Sequence, residues 1–223
     1  MKSDNRDRFS LSDEEASRGR VSPAVIKRLP RYYRYLRELL QNDILRISSG
    51  ELSKLMHVTA SQIRQDLNCF GGFGQQGYGY NVKYLYGKIG EILGVNRNFN
   101  AIIIGAGNLG SALAASPIFE RRGVTLTALF DNSEAVVGRV ISGYTVKSMD
   151  ELEAYCRENS VNIAVLTLPK TAVREMADRL ADLGIKGLWN FASTEIDLSH
   201  KGVVVQNVHM GDSLMTLCYE LTK

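Results

Sequence analysis

Three glycines at Gly105-x-Gly107-x-x-Gly110 follow directly on the apolar run Ala101-Ile102-Ile103-Ile104. Between a buried strand and a helix, this spacing makes a phosphate cradle. The first glycine allows the tight turn, the second lets backbone approach a pyrophosphate, and the third lets the helix pack close to the strand. Gly105, Ala106, Gly107, Asn108, Leu109 and Gly110 are therefore the first candidate cofactor-binding residues. Asp131 ends the next apolar run, 124–130, 26 residues beyond Gly105. A carboxylate there hydrogen-bonds the hydroxyls of an adenosine ribose and repels a 2′-phosphate. Asn132 and Ser133 beside it bring no cation, so NAD(H) is expected rather than NADP(H). Ligands of such sheets sit beyond the carboxyl ends of the strands, which adds Thr167, Leu168 and Pro169 after one apolar run and Asn190 and Phe191 after another.

Chemistry on the nicotinamide would need a proton donor or acceptor beside it. The three histidines are His57, in the other half of the chain, His200, in a short polar loop, and His209. Only His209 has a place from which it could reach a cofactor. Tyr155 has Asn159, not Lys, four residues on, so the short-chain dehydrogenase pairing is absent. No catalytic residue and no metal ligand set is expected. Cys69, Cys156 and Cys218 have neither CxxC spacing nor an even count, which argues against a disulfide framework and a zinc site. A nucleotide-binding domain without catalytic equipment reads as a sensor, not an enzyme.

A second set of residues suits nucleic acid. Ser48 with Glu51, and Thr59 with Gln62, have capping-box spacing, so two short helices meet in a tight turn at His57 and Val58. In the first, Leu52, Leu55 and Met56 are expected to be buried. Along the second, Ile63, Leu67 and Phe70 face inward and Ser61, Gln62, Arg64, Gln65 and Asn68 face out. Gln pairs bidentately with adenine and Arg with guanine in the major groove, so this is a candidate recognition helix. Five glycines in the nine residues 71–79 exclude a helix and suit a hairpin, the wing of a winged-helix module. Its tip carries Gln75 and Gln76, and Tyr78 follows. Ser61, Gln62, Arg64, Gln65, Gln76 and Tyr78 are the candidate DNA-binding residues.

Around these sites the chain divides by charge. Residues 17–98 carry 13 Lys and Arg against 5 Asp and Glu, a net of +8, whereas residues 99–223 carry 11 against 14, a net of −3. Clustered cations favour a phosphate backbone through counterion release. Residues 1–18 are polar and read as a disordered tail, 19–95 as a winged-helix domain, 99–208 as a Rossmann domain, and 209–223 as a C-terminal helix. Helical spacing of Leu29, Tyr33, Leu36 and Leu40 opens the first domain. Pro30 implies that a turn ends near Leu29 or that the main helix starts at Pro30. A helix over 82–93, burying Leu85, Ile89 and Ile92, closes that domain at Gly94. Beyond the glycine loop, helices over 149–158 and 169–183 alternate with strands over 163–168, 187–191 and 203–208. The fold class is α/β: a winged-helix domain, then a doubly wound parallel sheet. With no apolar run near 18 residues and no secretory signal, the protein is expected in the cytoplasm, away from membranes.

Several separated motifs in one order resemble the Rex family of bacterial redox-sensing repressors. They are Val58-Thr59-Ala60-Ser61-Gln62-Ile63-Arg64-Gln65-Asp66-Leu67, Gly77-Tyr78-Gly79-Tyr80, the 105–110 loop, Phe130-Asp131, Leu166-Thr167-Leu168-Pro169 and Gly184-Ile185-Lys186-Gly187-Leu188-Trp189-Asn190-Phe191. The resemblance runs from about Ser22 to Leu217. It implies a homodimer that exchanges its C-terminal helix, binds palindromic double-stranded operator DNA when NADH is scarce, and represses genes of fermentation and anaerobic respiration. Ser116 stands where many members carry Tyr, His209 where they carry Asp, and Ser193 where Pro often follows Asn-Phe-Ala. The first two bear on how NADH is told from NAD+. The alternatives are a small NAD-dependent oxidoreductase, or a CoA-binding protein sharing the glycine-rich layout and the Gly184-Ile185-Lys186 segment.

Overall fold

The computed structural model describes residues 21–70, 74–75 and 78–223, and divides the chain into two units, up to Gly94 and from Val95. The tail expected over 1–18 and the wing residue Gln76 lie outside the described residues.

In the first unit, helix α1 (Pro23–Gln41) starts at Ser22, whose hydroxyl accepts from the Val25 N–H, with Pro23 in the first turn. Pro30 lies inside this one continuous helix, so neither break expected from the sequence occurs. Pro30 and Ile26, whose carbonyl loses its helical donor, both lie on the exposed face, where water can satisfy that carbonyl. The opposite face buries Val25, Leu29, Tyr32, Tyr33, Leu36 and Leu39 on both sides of the proline, and that packing carries the helix through it. Leu39, not Leu40, is the buried member of that pair.

Strand β1 (Arg46–Ile47) leads into α2 (Ser49–Met56), which opens on a complete capping box between Ser48 and Glu51. His57, in the left-handed region at φ 49°, turns the chain into α3 (Ala60–Asn68). Leu52 and Met56 are buried as expected, but Leu55 is exposed, and Phe70, beyond the helix end, is half-buried. Strands β2 (Gly74–Gln75) and β3 (Gly79–Asn81) form the expected hairpin, and β1 joins it in a three-stranded antiparallel sheet of order β1-β3-β2. Helix α4 (Val82–Leu93) ends at Gly94, φ 70°, as its sequence predicts. It packs on α1 through stacked Tyr33 and Tyr86 rings, 4.3 Å between centroids, and buries Leu85 and Ile89 but not Ile92.

The second unit contains β4 (Phe99–Ile104), α5 (Asn108–Ala115), β5 (Val124–Asp131), β6 (Val140–Ile141), β7 (Tyr144–Ser148), α6 (Leu152–Glu158), β8 (Ile163–Leu166), α7 (Val173–Asp182), β9 (Gly187–Asn190), β10 (Val204–Asn207) and α8 (Met210–Glu220). The sheet order is β10-β9-β8-β4-β5-β7-β6, parallel except for the β6–β7 hairpin. Numbered by their own sequence, the six parallel strands lie 3-2-1-4-5-6, the dinucleotide-binding order, with the reversal between β4 and β8. Both faces of the central strands are covered, which explains their unbroken apolar runs. Ile102, Ile104, Phe130, Ala164 and Leu166 pack toward Leu152, Val173, Ala177 and Leu180; Ala101, Ile103, Leu129 and Val165 pack the other way, with Ala106 and Phe119.

Two elements depart from expectation. The third parallel strand, β7, carries little sequence signal, because of Tyr-Thr-Val-Lys-Ser only Val146 is fully buried. Helix α7 begins at Val173 instead of Pro169, after a turn closed by the Ala172 N–H on the Pro169 carbonyl; its buried stripe of Val173, Ala177 and Leu180 starts there. All of α8 is exposed, including Met210, Leu214, Met215, Leu217 and Tyr219, and so is Leu221 just beyond it. Among the described residues no helix is long and apolar enough to cross a membrane.

Candidate nucleotide site and nucleic-acid interface

Strand β4 delivers the chain to Gly105 at the point where strand order reverses. Gly105 has φ +98°, and a Cβ there would stand 2.8 Å from the Thr167 carbonyl oxygen. A Cβ on Gly110 would stand 1.9 Å from the Gly105 carbonyl oxygen, so α5 can lie this close to β4 only with glycine there. Gly107 differs: its φ is −70°, and an added Cβ meets nothing within 4 Å. The protein's own packing demands glycine at 105 and 110 and leaves the space over Gly107 open. No side chain caps the N-terminus of α5 at Gly107, so the positive end of the helix dipole and its first N–H groups face that space.

Around this cradle, Asp131 Oδ2 accepts from the Ala106 N–H at 2.7 Å and Oδ1 from the Ser133 N–H at 2.8 Å. Thr167 Oγ1 lies 2.6 Å from the Gly105 carbonyl oxygen and 3.1 Å from that of Ile104, pinning the end of β8 to the loop. The residues fit a dinucleotide: an open backbone cradle for the pyrophosphate and a carboxylate at the end of the neighbouring strand for a ribose. Gly105 to Gly110, Asp131 and Thr167 thus come together; Leu168 is half-buried against the core and Pro169 is exposed.

Asn190 does not have the free side chain expected of a ligand contact. It is fully buried, and its Nδ2 donates to the Thr194 carbonyl at 2.7 Å and to Asn207 Oδ1 at 2.8 Å, while its Oδ1 accepts from the Ala192 N–H at 3.0 Å. Asn207 in turn pairs with both backbone groups of Ile196. Asn190 therefore staples the loop after β9. Phe191 is half-buried against Trp189, ring centroids 4.7 Å apart. His209 Nε2 lies 3.6 Å from Glu195 Oε1. Among the described residues no group of His, Cys, Asp or Glu is placed to hold a metal, and the three cysteines are free thiols.

In the first unit, Thr59 Oγ1 accepts from the Gln62 N–H at 3.1 Å, half of the expected capping box. The other half is missing: Gln62 is half-buried, and its Nε2 donates to Asp66 Oδ1 at 2.8 Å. Asp66 is fully buried and also receives both Arg28 Nε and Nη2, each at 2.7 Å, and the Tyr32 hydroxyl at 2.9 Å. Burial pushes its carboxyl up, but the hydrogen bonds from Arg28, Gln62 and Tyr32 and the Arg28 charge outweigh burial and hold it below the usual range. Sequence reasoning missed this hub. Its signal was an acid on the inward stripe of Ile63 and Leu67, matched by Arg28 and Tyr32 one turn apart on α1. Ser61, Arg64 and Gln65 are exposed on α3, with Arg64 Nη1 3.0 Å from Ser49 Oγ. Tyr78 is also exposed, its carbonyl accepting from Arg46.

Comparison with known proteins agrees with this layout. Residues 20–68 match the family described as "Putative DNA-binding protein N-terminus", and residues 96–194 match the CoA binding domain. The redox-sensing transcriptional repressor Rex of Clostridium perfringens strain SM101 is 50% identical over 201 residues, 90% of this chain and 94% of that protein. A crystal structure of RSP with β-NAD+ and operator DNA superposes with a TM-score of 0.85 at 50% identity, covering 91% of this chain and 93% of the other. RSP in complex with β-NADH gives 0.83 at 47% identity, covering 91% and 95%. RSP is a Rex-family repressor, as its relative from Clostridium perfringens is a redox-sensing one, and the chain belongs to the Rex family of redox-sensing transcriptional repressors.

Proposed function

We propose that this protein is a cytoplasmic homodimeric repressor that binds palindromic double-stranded operator DNA and releases it when NADH binds, controlling genes of fermentation and anaerobic respiration. The observation that carries the nucleotide half is the glycine loop, in which Gly105 and Gly110 are required by close contacts and Gly107 faces open space. Gly105 to Gly110 would hold the pyrophosphate, Asp131 the adenosine ribose, and Thr167, Leu168, Pro169 and Phe191 the strand ends beyond it, with Asn190 supporting the loop. Asp131 also disfavours CoA, whose adenosine ribose carries a 3′-phosphate. On the DNA side, Ser61, Gln62, Arg64 and Gln65 of α3 would enter the major groove, with Gln76 and Tyr78 of the wing beside it.

The switch is a population shift between two dimer arrangements, only one of which spaces the recognition helices by roughly 34 Å, one turn of DNA. Release requires NADH to bind the other arrangement more tightly, because equal affinity for both shifts nothing. The reduced nicotinamide ring is neutral and the oxidised ring cationic, so an apolar site buries the former at lower cost. The exposed apolar side of α8 is the segment exchanged between subunits.

Gel-shift binding to operator DNA at fixed salt, titrated with NADH and separately with NAD+, tests this function. Loss of the complex with NADH alone supports the sensor. Binding indifferent to both nucleotides refutes the signal, and absence of specific binding refutes the repressor.

A further inference from the structure

The hub at Asp66 has a consequence for how α3 reads a base. A glutamine amide can ordinarily turn over, exchanging its acceptor and donor ends at little cost. Gln62 cannot. Its neighbour Asp66 is fully buried and, held charged by Arg28 and Tyr32, accepts only, so the amide nitrogen must face it and the carbonyl oxygen must face away. Turning the amide over would set Oε1 against a buried carboxylate oxygen and strip Asp66 of one of its donors.

We infer that Asp66 is a positioning residue for operator specificity: it fixes the amide of Gln62 in one orientation, so that α3 presents Oε1 and the second N–H of Gln62 to an adenine. The inference rests on the operator-binding reading above. Adenine offers an N6 donor beside an N7 acceptor in the major groove, which matches a fixed acceptor and donor. Guanine offers two acceptors, and thymine an acceptor and a methyl group, so both oppose the outward oxygen; cytosine satisfies it alone. A glutamine free to turn over would donate to guanine or thymine and discriminate less. Arg28 and Tyr32 hold the charge and place of Asp66, and through it the choice of base.

The test uses the full-length protein and the operator duplex of the solved RSP complex, with each base pair of both half-sites changed in turn, read by fluorescence anisotropy at one salt concentration. Wild type should lose about tenfold or more when one adenine is replaced by guanine or thymine, the scale of a bidentate contact. In Gln62→Leu and in Asp66→Asn that penalty should shrink about tenfold at that pair, with penalties elsewhere unchanged. Equal weakening on every duplex, or an unchanged pattern in Gln62→Leu, overturns the inference. If Asp66→Asn does not fold, NMR of the wild-type side-chain amides decides: one Gln62 N–H should be protected from exchange relative to Gln65, and equal exchange of the two residues overturns the tether. A wild type with no operator preference overturns the DNA-binding reading itself.

Discussion

The Ala106 backbone N–H donates a 2.7 Å hydrogen bond to Asp131 Oδ2, tying the acid at the end of β5 to the glycine loop at the end of β4. One side chain thus orders the cradle, and in the proposed reading the same carboxylate would meet the ribose. Asp131→Ala should weaken NADH and NAD+ binding about 10- to 100-fold, the worth of one or two charge-assisted hydrogen bonds, and leave operator affinity within about twofold. Calorimetric titration of the nucleotides, paired with operator anisotropy, checks both parts.

Gly107 and Gly110 should separate ligand from fold. Gly110→Ala places a Cβ 1.9 Å from the Gly105 carbonyl oxygen, so it should lower the melting temperature and abolish nucleotide binding together. Gly107→Ala meets no protein atom within 4 Å and fits its φ of −70°. It should melt like wild type and still lose nucleotide affinity by about tenfold or more, because its Cβ enters the pyrophosphate's approach. A Gly107→Ala protein with normal affinity would exclude the cradle.

Arg64→Ala is expected to lower operator affinity about tenfold, flatten the salt dependence if the contact is a phosphate or relax one base position if it is a guanine, and leave NADH affinity unchanged. Equal loss of both activities would count against separate modules. Anisotropy over a range of salt concentrations measures the slope.

Acid should act on the first unit through Asp66. Its carboxyl titrates below the usual range in the folded protein, so its stabilising contribution is fully present above about pH 4 and is lost as pH falls through the folded value. Thermal melts from pH 7 to pH 3 should show this loss, and Asp66→Asn should flatten it. Removing the partner is harsher: Arg28→Ala leaves a buried carboxylate without its cation and should cost about 3–5 kcal/mol near neutral pH.

Deleting the chain from Met210 onward removes the exposed helix α8. If that helix is the exchanged segment, the truncated protein should elute as a monomer while its glycine loop, built entirely upstream, keeps nucleotide affinity within a few-fold. Size-exclusion chromatography with light scattering would show either result.

Features that depend on near neighbours are legible in the order of the residues. The Ser48–Glu51 box, the stop at Gly94 and the glycine spacing of the Gly105–Gly110 loop after Ala101–Ile104 are each set by residues a few positions apart, whose sterics and hydrogen bonds act wherever the segment lies. Tertiary structure alone decided the rest. Pro30 stays inside α1 because buried side chains on both sides of it outweigh one lost backbone bond, a sum that no local rule contains. Tyr144–Ser148 is a strand because β5 offers it an edge, not because of its composition. The Gln62 amide nitrogen is held toward the core because Arg28, 38 residues from Asp66, pairs with the buried carboxylate that binds it, and Asn190 is a staple because Asn207 lies 17 residues on. Polar side chains go where buried partners need them, and those partners meet only once the chain has folded.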